Sequence, residues 1–147
     1  KAFLKRKELP PAVEALRNAI RLMPDSVEAQ FHLGMALFTL KDRRAAAACF
    51  RKVTELKPDA QAYYLLGHCL AQDGDRAGAI RAFQTALRYR PNYAQAHLDL
   101  GTLLAQQGQT IRALVHLQNA AQLDPQNPRP KKLFALAAKQ VVISLGP

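Results

Sequence analysis

The 147-residue sequence has no tryptophan and only two cysteines, Cys49 and Cys69. Two thiols cannot make a disulfide framework, so the fold has to rest on buried apolar surface. Long apolar runs are missing as well. A membrane-spanning helix needs about eighteen or more apolar residues in a row, which excludes a chain built from such spans and points to a soluble, globular one. Acidic residues are scarce, 11 against 21 Lys and Arg, and the resulting charge of +10 favours acidic partners only generically. No nucleophile, base and orienter set is present, so no catalytic residues are assigned. No cofactor or metal motif occurs either, and none is assigned. No signal or transit segment is visible in these residues. The chain starts at Lys1 without a methionine and partway through a repeating pattern, which reads as a piece of something longer.

What the chain does have is a period. Gly34–Pro58, Gly67–Pro91 and Gly101–Pro125 share one frame, each with Gly and Pro 24 positions apart. Pro24, Pro58, Pro91 and Pro125 follow one another at intervals of 34, 33 and 34. A period of this length marks a supersecondary unit that stacks on its neighbours, not a catalytic motif. Within each copy a small residue, a large apolar one and a second small or β-branched one recur at i, i+4 and i+7. These sets are Ala46, Phe50, Val53; Ala79, Phe83, Ala86; and Ala113, Leu117, Ala120. That spacing is one helical face. Gly34, Gly67 and Gly101 on the preceding helix allow its backbone to come close.

Turn chemistry agrees. Gly74 and Gly108 supply the positive φ that ends a helix, and Asp75, with Gln109 or Thr110, stands where the next one begins. Lys41 occupies the glycine place in the first copy, which predicts more backbone strain there, with Asp42 still able to cap. Pro10-Pro11 fits the opening turn of a helix. Pro58 to Gly67 is one residue shorter than its counterparts, which tightens that junction.

Together these residues resemble the tetratricopeptide repeat. The second copy carries Leu66-Gly67, Ala79, Phe83, Ala86 and Pro91, with Tyr63 where the family favours Trp. Gln30 and His97 stand at that aromatic place in the other copies, and Leu117 replaces Phe. The resemblance implies an all-α, right-handed solenoid of antiparallel helix pairs forming a single domain over 1–147. Residues 1–24 would be a partial repeat, 25–58, 59–91 and 92–125 full repeats, and 126–147 a capping helix and tail. That last helix shows an apolar face of Leu133, Phe134, Leu136, Ala137 and Val141 and would cover the edge of the last repeat.

The resemblance also implies a concave surface lined by first helices. In order along the chain its groove residues would be Phe31, His32, Met35 and Phe38; Gln61, Tyr64, His68 and Gln72; and Gln95, Leu98, Thr102 and Gln106. Lys1, Leu4 and Lys5 would extend the row. The Lys and Asn that clamp a carboxylate in chaperone-binding members are absent, as is the Asn ladder of some glycosyltransferase-linked repeats. The remaining lining is apolar and aromatic at one end and Gln-rich at the other, which suits an amphipathic helix or an extended peptide with apolar anchors. Against this stands the plainer expectation that Phe31, Phe38 and Leu98 pack between helices and expose little.

Other residues read as structural. His32 and His68 lack a Cys or carboxylate at fixed spacing and make a poor metal pair. His97 replaces an aromatic, His116 lies on a second helix, and Cys49 and Cys69 behave as small hydrophobes. The expected function is a non-catalytic protein–protein interaction scaffold. The alternatives are an accessory region of a larger enzyme that recruits substrate, and a basic scaffold for nucleic acid or anionic membrane. The latter lacks basic residues interleaved with aromatics and rests on charge alone. Oligomerisation through the N-terminal repeat edge is a further expectation.

Overall fold

In the computed structural model the described residues are 2–146, and their side chains are described from residue 11 onward. They form eight helices and no strands: α1 (Ala2–Leu22), α2 (Val27–Thr39), α3 (Arg43–Leu56), α4 (Ala60–Gln72), α5 (Arg76–Tyr89), α6 (Ala94–Gln106), α7 (Thr110–Leu123) and α8 (Arg129–Ser144). Within each unit, connections this short place consecutive helices antiparallel. The chain divides within α5 into two compact units, Lys1–Ala79 and Ile80–Pro147.

The turns inside the pairs are one device used three times. After α2, the Lys41 amide donates to the Phe38 carbonyl at 3.0 Å and the Asp42 amide to Leu37 at 2.9 Å. Gly74 and Asp75, then Gly108 and Gln109, repeat the two bonds after α4 and α6. This paired closure requires a left-handed residue at its centre. Lys41 takes φ 66°, Gly74 92° and Gly108 79°, so Lys41 carries the strain expected of a side chain there. The residue that closes one helix then starts the next. Asp42 accepts from the Ala45 amide at 3.3 Å and Asp75 from Gly78 at 2.9 Å. Gln109 makes no such cap bond, because its side chain accepts from Arg112.

Between pairs, Ser26 caps α2 and Asp59 caps α4, at 3.2 and 2.8 Å. Asp59 directly follows Pro58, whereas Ser26 stands two beyond Pro24. The missing residue is therefore absorbed by starting the cap one position earlier.

One expectation is corrected. Pro10-Pro11 does not open a helix, because α1 runs through it from Ala2 to Leu22. No Gly, Asn or Asp precedes the prolines to close a helix before them, and Lys5–Leu9 are strong helix formers, so α1 carries both prolines in its interior despite the N–H groups they lack. The groove positions Leu4 and Lys5, as side chains, and Lys1 lie outside the described residues.

In unit 1, α1 packs on α2, α2 on α3 and α3 on α4. Its core joins Leu33, Leu37, Ala46, Phe50, Val53, Leu66 and Cys69. A Cβ on Gly34 would lie 2.9 Å from Phe50 Cε1, so the helix crossing needs a residue without one. In unit 2, α6 packs on α7 and α7 on α8. Gly101 meets Leu117 as Gly34 meets Phe50, a Cβ there lying 2.8 Å from Leu117 Cγ.

Candidate functional site

In unit 1 the expected lining residues of α2 and α4 come together around one imidazole. The His68 ring lies 5.3 Å from that of Phe38, across the helix boundary, and stacks at 6.1 Å on Tyr64 one turn back. Gln72, one turn on, places its Nε2 3.1 Å from His68 Nε2. The Gln72 Oε1 accepts from Arg43 Nε at 3.0 Å. With its oxygen held by a guanidinium, Gln72 has only its amide N–H to offer. His68 Nε2 is thus the acceptor, and the neutral ring carries its proton on Nδ1. Arg43, at the start of α3, was not legible as part of this face, because its contact joins residues 29 positions apart.

Around that cluster, Met35 is 39% exposed, and His32, Gln61 and Gln72 are exposed. Phe31 is half-buried, edge-on to Phe50 at 6.0 Å and to His32 at 5.9 Å. It belongs partly to the core, as the plainer expectation had it. The face offers ring surfaces with a polar margin of Gln61 and Gln72. A hollow of about 670 Å³ elsewhere in unit 1 is lined by Val13, Glu14, Arg17, Leu37 and Asp42 among others, and it includes none of the expected residues.

In unit 2 the row is rearranged. Leu98 is corrected from groove to core. It is 2% exposed and clusters with Leu117, Ala120 and Ala137, with Leu133 and Phe134 of α8 packed against it. Its aliphatic side chain gains more from that apolar seat than from solvent, and α8 supplies the seat. Thr102 and Gln106 remain accessible in a groove of about 390 Å³ shared with Leu133, Leu136 and Gln140 of α8. The Thr102 hydroxyl donates back to the Leu98 carbonyl at 2.8 Å. Gln95 is exposed and its Nε2 lies 3.4 Å from Asp99 Oδ1. The apolar period of α8 was visible in the sequence, but its place beside Thr102 and Gln106 was not.

Further contacts in the cores complete the titratable groups. Cys49 and Cys69 are buried and unbonded. Burial, with a smaller contribution from Cys49, pushes the Cys69 thiol up to about 12, and burial raises Cys49 too. Neither is a reactive thiolate at neutral pH. In unit 2 the two remaining histidines meet, with His97 Nδ1 3.0 Å from His116 Nδ1 and His97 Nε2 2.8 Å from the Pro91 carbonyl. Among the described residues no group of three or more His, Cys, Asp or Glu converges.

A family model described as "Tetratricopeptide repeat" matches residues 3–69 and again 70–133. The chain belongs to the tetratricopeptide repeat family. Relatives of the chain include the BBSome complex member bbs-4 of Caenorhabditis elegans, 28% identical over 79% of this chain and 27% of its own length. Another is the Pseudomonas putida protein described as a probable biofilm formation methyltransferase, WspC, 31% identical over 58% of this chain and 20% of its own. The chain thus spans about a quarter or less of the length of such relatives. Among solved structures, that of MamA has a TM-score of 0.88 at 23% identity, covering 92% of this chain and 80% of its own. The structure of YrrB, described as a TPR protein with an unusual peptide-binding site, has a TM-score of 0.82 at 20% identity, covering 95% and 73%. Likeness at these identities establishes the shared helix-pair fold. No helix of the described residues is long and apolar enough to cross a membrane.

Proposed function

We propose that the chain is a non-catalytic protein-interaction scaffold that holds a peptide or helical segment of a partner along the first helices of its pairs. The observation that carries this reading is the run Phe38–His68–Tyr64 across α2 and α4, edged by Gln72 in the grip of Arg43. Rings side by side give a partner's apolar side chains a dry surface, and exposed Gln61 and Gln72 can bond its backbone. In unit 2, Thr102, Gln106 and the α8 leucines give the same pairing of apolar floor and polar edge. The peptide-binding site named for YrrB is consistent with this use of the fold.

The test starts from peptides selected from a random library against the whole chain. Met35→Ala with Tyr64→Ala is expected to weaken the selected peptides at least tenfold by calorimetry while far-ultraviolet circular dichroism stays unchanged. Equal affinity in the double variant removes the α2–α4 face from the proposal. Phe31 is left intact because its contact with Phe50 makes truncation there a core change.

A second reading is an accessory region of a larger enzyme that recruits substrate. The chain's small share of its relatives, one of them described as a methyltransferase, favours it. Appending this chain to such a catalytic region would then lower KM and leave kcat unchanged. Association of copies through the end of α1, where Leu22 and the following Met23 are exposed, is a further reading that light scattering over a concentration series decides.

A further inference from the structure

The contact between His97 of α6 and His116 of α7 has only one consistent set of protons. A carbonyl can only accept, so the Pro91 oxygen requires a proton on His97 Nε2. Neutral His97 therefore presents a bare Nδ1 to His116, and His116 Nδ1–H must be the donor across the 3.0 Å gap. The ring centroids are 5.3 Å apart, which places the imidazoles end-on along that bond. The His116 N–H and the His97 lone pair point at each other and do not converge on a third point, so the pair is a hydrogen bond and not a chelate.

Protons can be added to this pair in one order only. The first goes to His116 Nε2, the one ring nitrogen not engaged in either bond, and leaves both bonds in place. A second must go to His97 Nδ1 and would set two N–H groups against each other. We propose that His97 and His116 form a latch that accepts one proton but not two, so that acid parts α6 from α7 and loosens the seat of α8.

The link to α8 lies in the sequence neighbours of the pair. Leu98 follows His97 and Leu117 follows His116, and these two leucines are the buried floor on which Ala137, Leu133 and Phe134 of α8 rest. His97 itself is 7% exposed, so a charge there has no ready access to water. The surroundings offer little compensation. On α7 the only other charged side chain is Arg112, and in the loop before α6 Arg90 lies over Tyr93 at 4.6 Å. The part of α5 in this unit bears Arg81 and Arg88, and α8 bears Arg129, Lys131, Lys132 and Lys139. The one carboxylate on α6, Asp99, is two residues from His97 and so on another side of the helix, beside Gln95.

Burial, with smaller contributions from the neighbouring His97 and Arg112, holds His116 below its ordinary value of 6.5. A depressed histidine binds protons more readily in the unfolded chain. The stability it represents is therefore complete above the ordinary value and declines as pH falls below it.

The test uses the whole chain labelled with ¹⁵N and long-range proton–nitrogen correlation of the imidazoles from pH 8 to pH 5. The expected result is a His97 ring that stays neutral with its proton on Nε2 while the chain is folded, and a His116 ring that takes up the only proton. Alongside this, the protection factors of the α8 amides, which are corrected for the slower intrinsic exchange in acid, should fall at least tenfold from pH 7.5 to 5.5, and the thermal midpoint should fall. His97→Tyr, which installs the residue found at the matching place in α4, and His116→Asn should each remove at least half of that pH response. Two imidazoles that both charge in the folded chain would overturn the proposal, as would variants that keep the full response. Should neither variant fold, the ring signals of the unaltered chain decide.

Discussion

Gly34 shows how much can depend on one hydrogen atom. Helix propensity favours alanine over glycine by about 1 kcal/mol. Overpacking a filled core costs about 1–3 kcal/mol, and the fully buried Phe50 ring has nowhere to turn. Crowding wins, so Gly34→Ala should lower the urea midpoint, with a net loss of about 1 kcal/mol. A midpoint at or above the parent's would mean that Phe50 yields. The opposite sign is expected at Lys41, where φ 66° holds a side chain in the left-handed region. Lys41→Gly relieves that strain, partly offset by a looser unfolded chain, for a gain of about 0.5–1 kcal/mol in the same melt. Both residues were legible in the sequence, since each stands in a repeated frame where its neighbours declare the geometry. Arg43 was not. Nothing local marks it as the residue that orients Gln72, and through Gln72 the His68 ring.

At the scale of the element, α8 is the informative case. Its i, i+3, i+4 apolar spacing announced a covering helix, and α8 does pack along α7. The same packing removed Leu98 from the accessible row and left a groove that includes Thr102 and Gln106. Burial of a residue depends on which helix arrives opposite it, and periodicity carries no record of that. Leu133 is half-buried, so Leu133→Ala should cost about 1–2 kcal/mol, below the roughly 2–5 kcal/mol of a fully buried leucine. Hydrogen exchange should quicken in α8 while α2, α3 and α4 keep the parent's protection. Equal quickening in α2–α4 would contradict the division into two compact units.

For the molecule as a whole, the question is whether its charge or its apolar faces select the partner. A net charge of +10 is large for 147 residues. If phosphate groups were the ligand, raising salt from 50 to 200 mM would reduce affinity by about 10³–10⁵ for six to ten contacts. A face of Met35, Phe38, Tyr64 and His68 predicts a much weaker dependence, and selected peptides should lose less than about tenfold over that range. A steep loss would put the basic-scaffold reading ahead of the peptide-binding one.

The sequence alone determined the helix-pair architecture, because fold information there is local and repeated. Gly or Lys41 after a helix, an Asp to restart it, and small residues where helices cross each act within a few positions, and three copies say the same thing. Only the tertiary structure decided which side chains of the first helices stay exposed, which ones α8 buries, and that His97 and His116 meet. Those outcomes depend on contacts between residues far apart in the chain, each pair occurring once, so no repetition could reveal them.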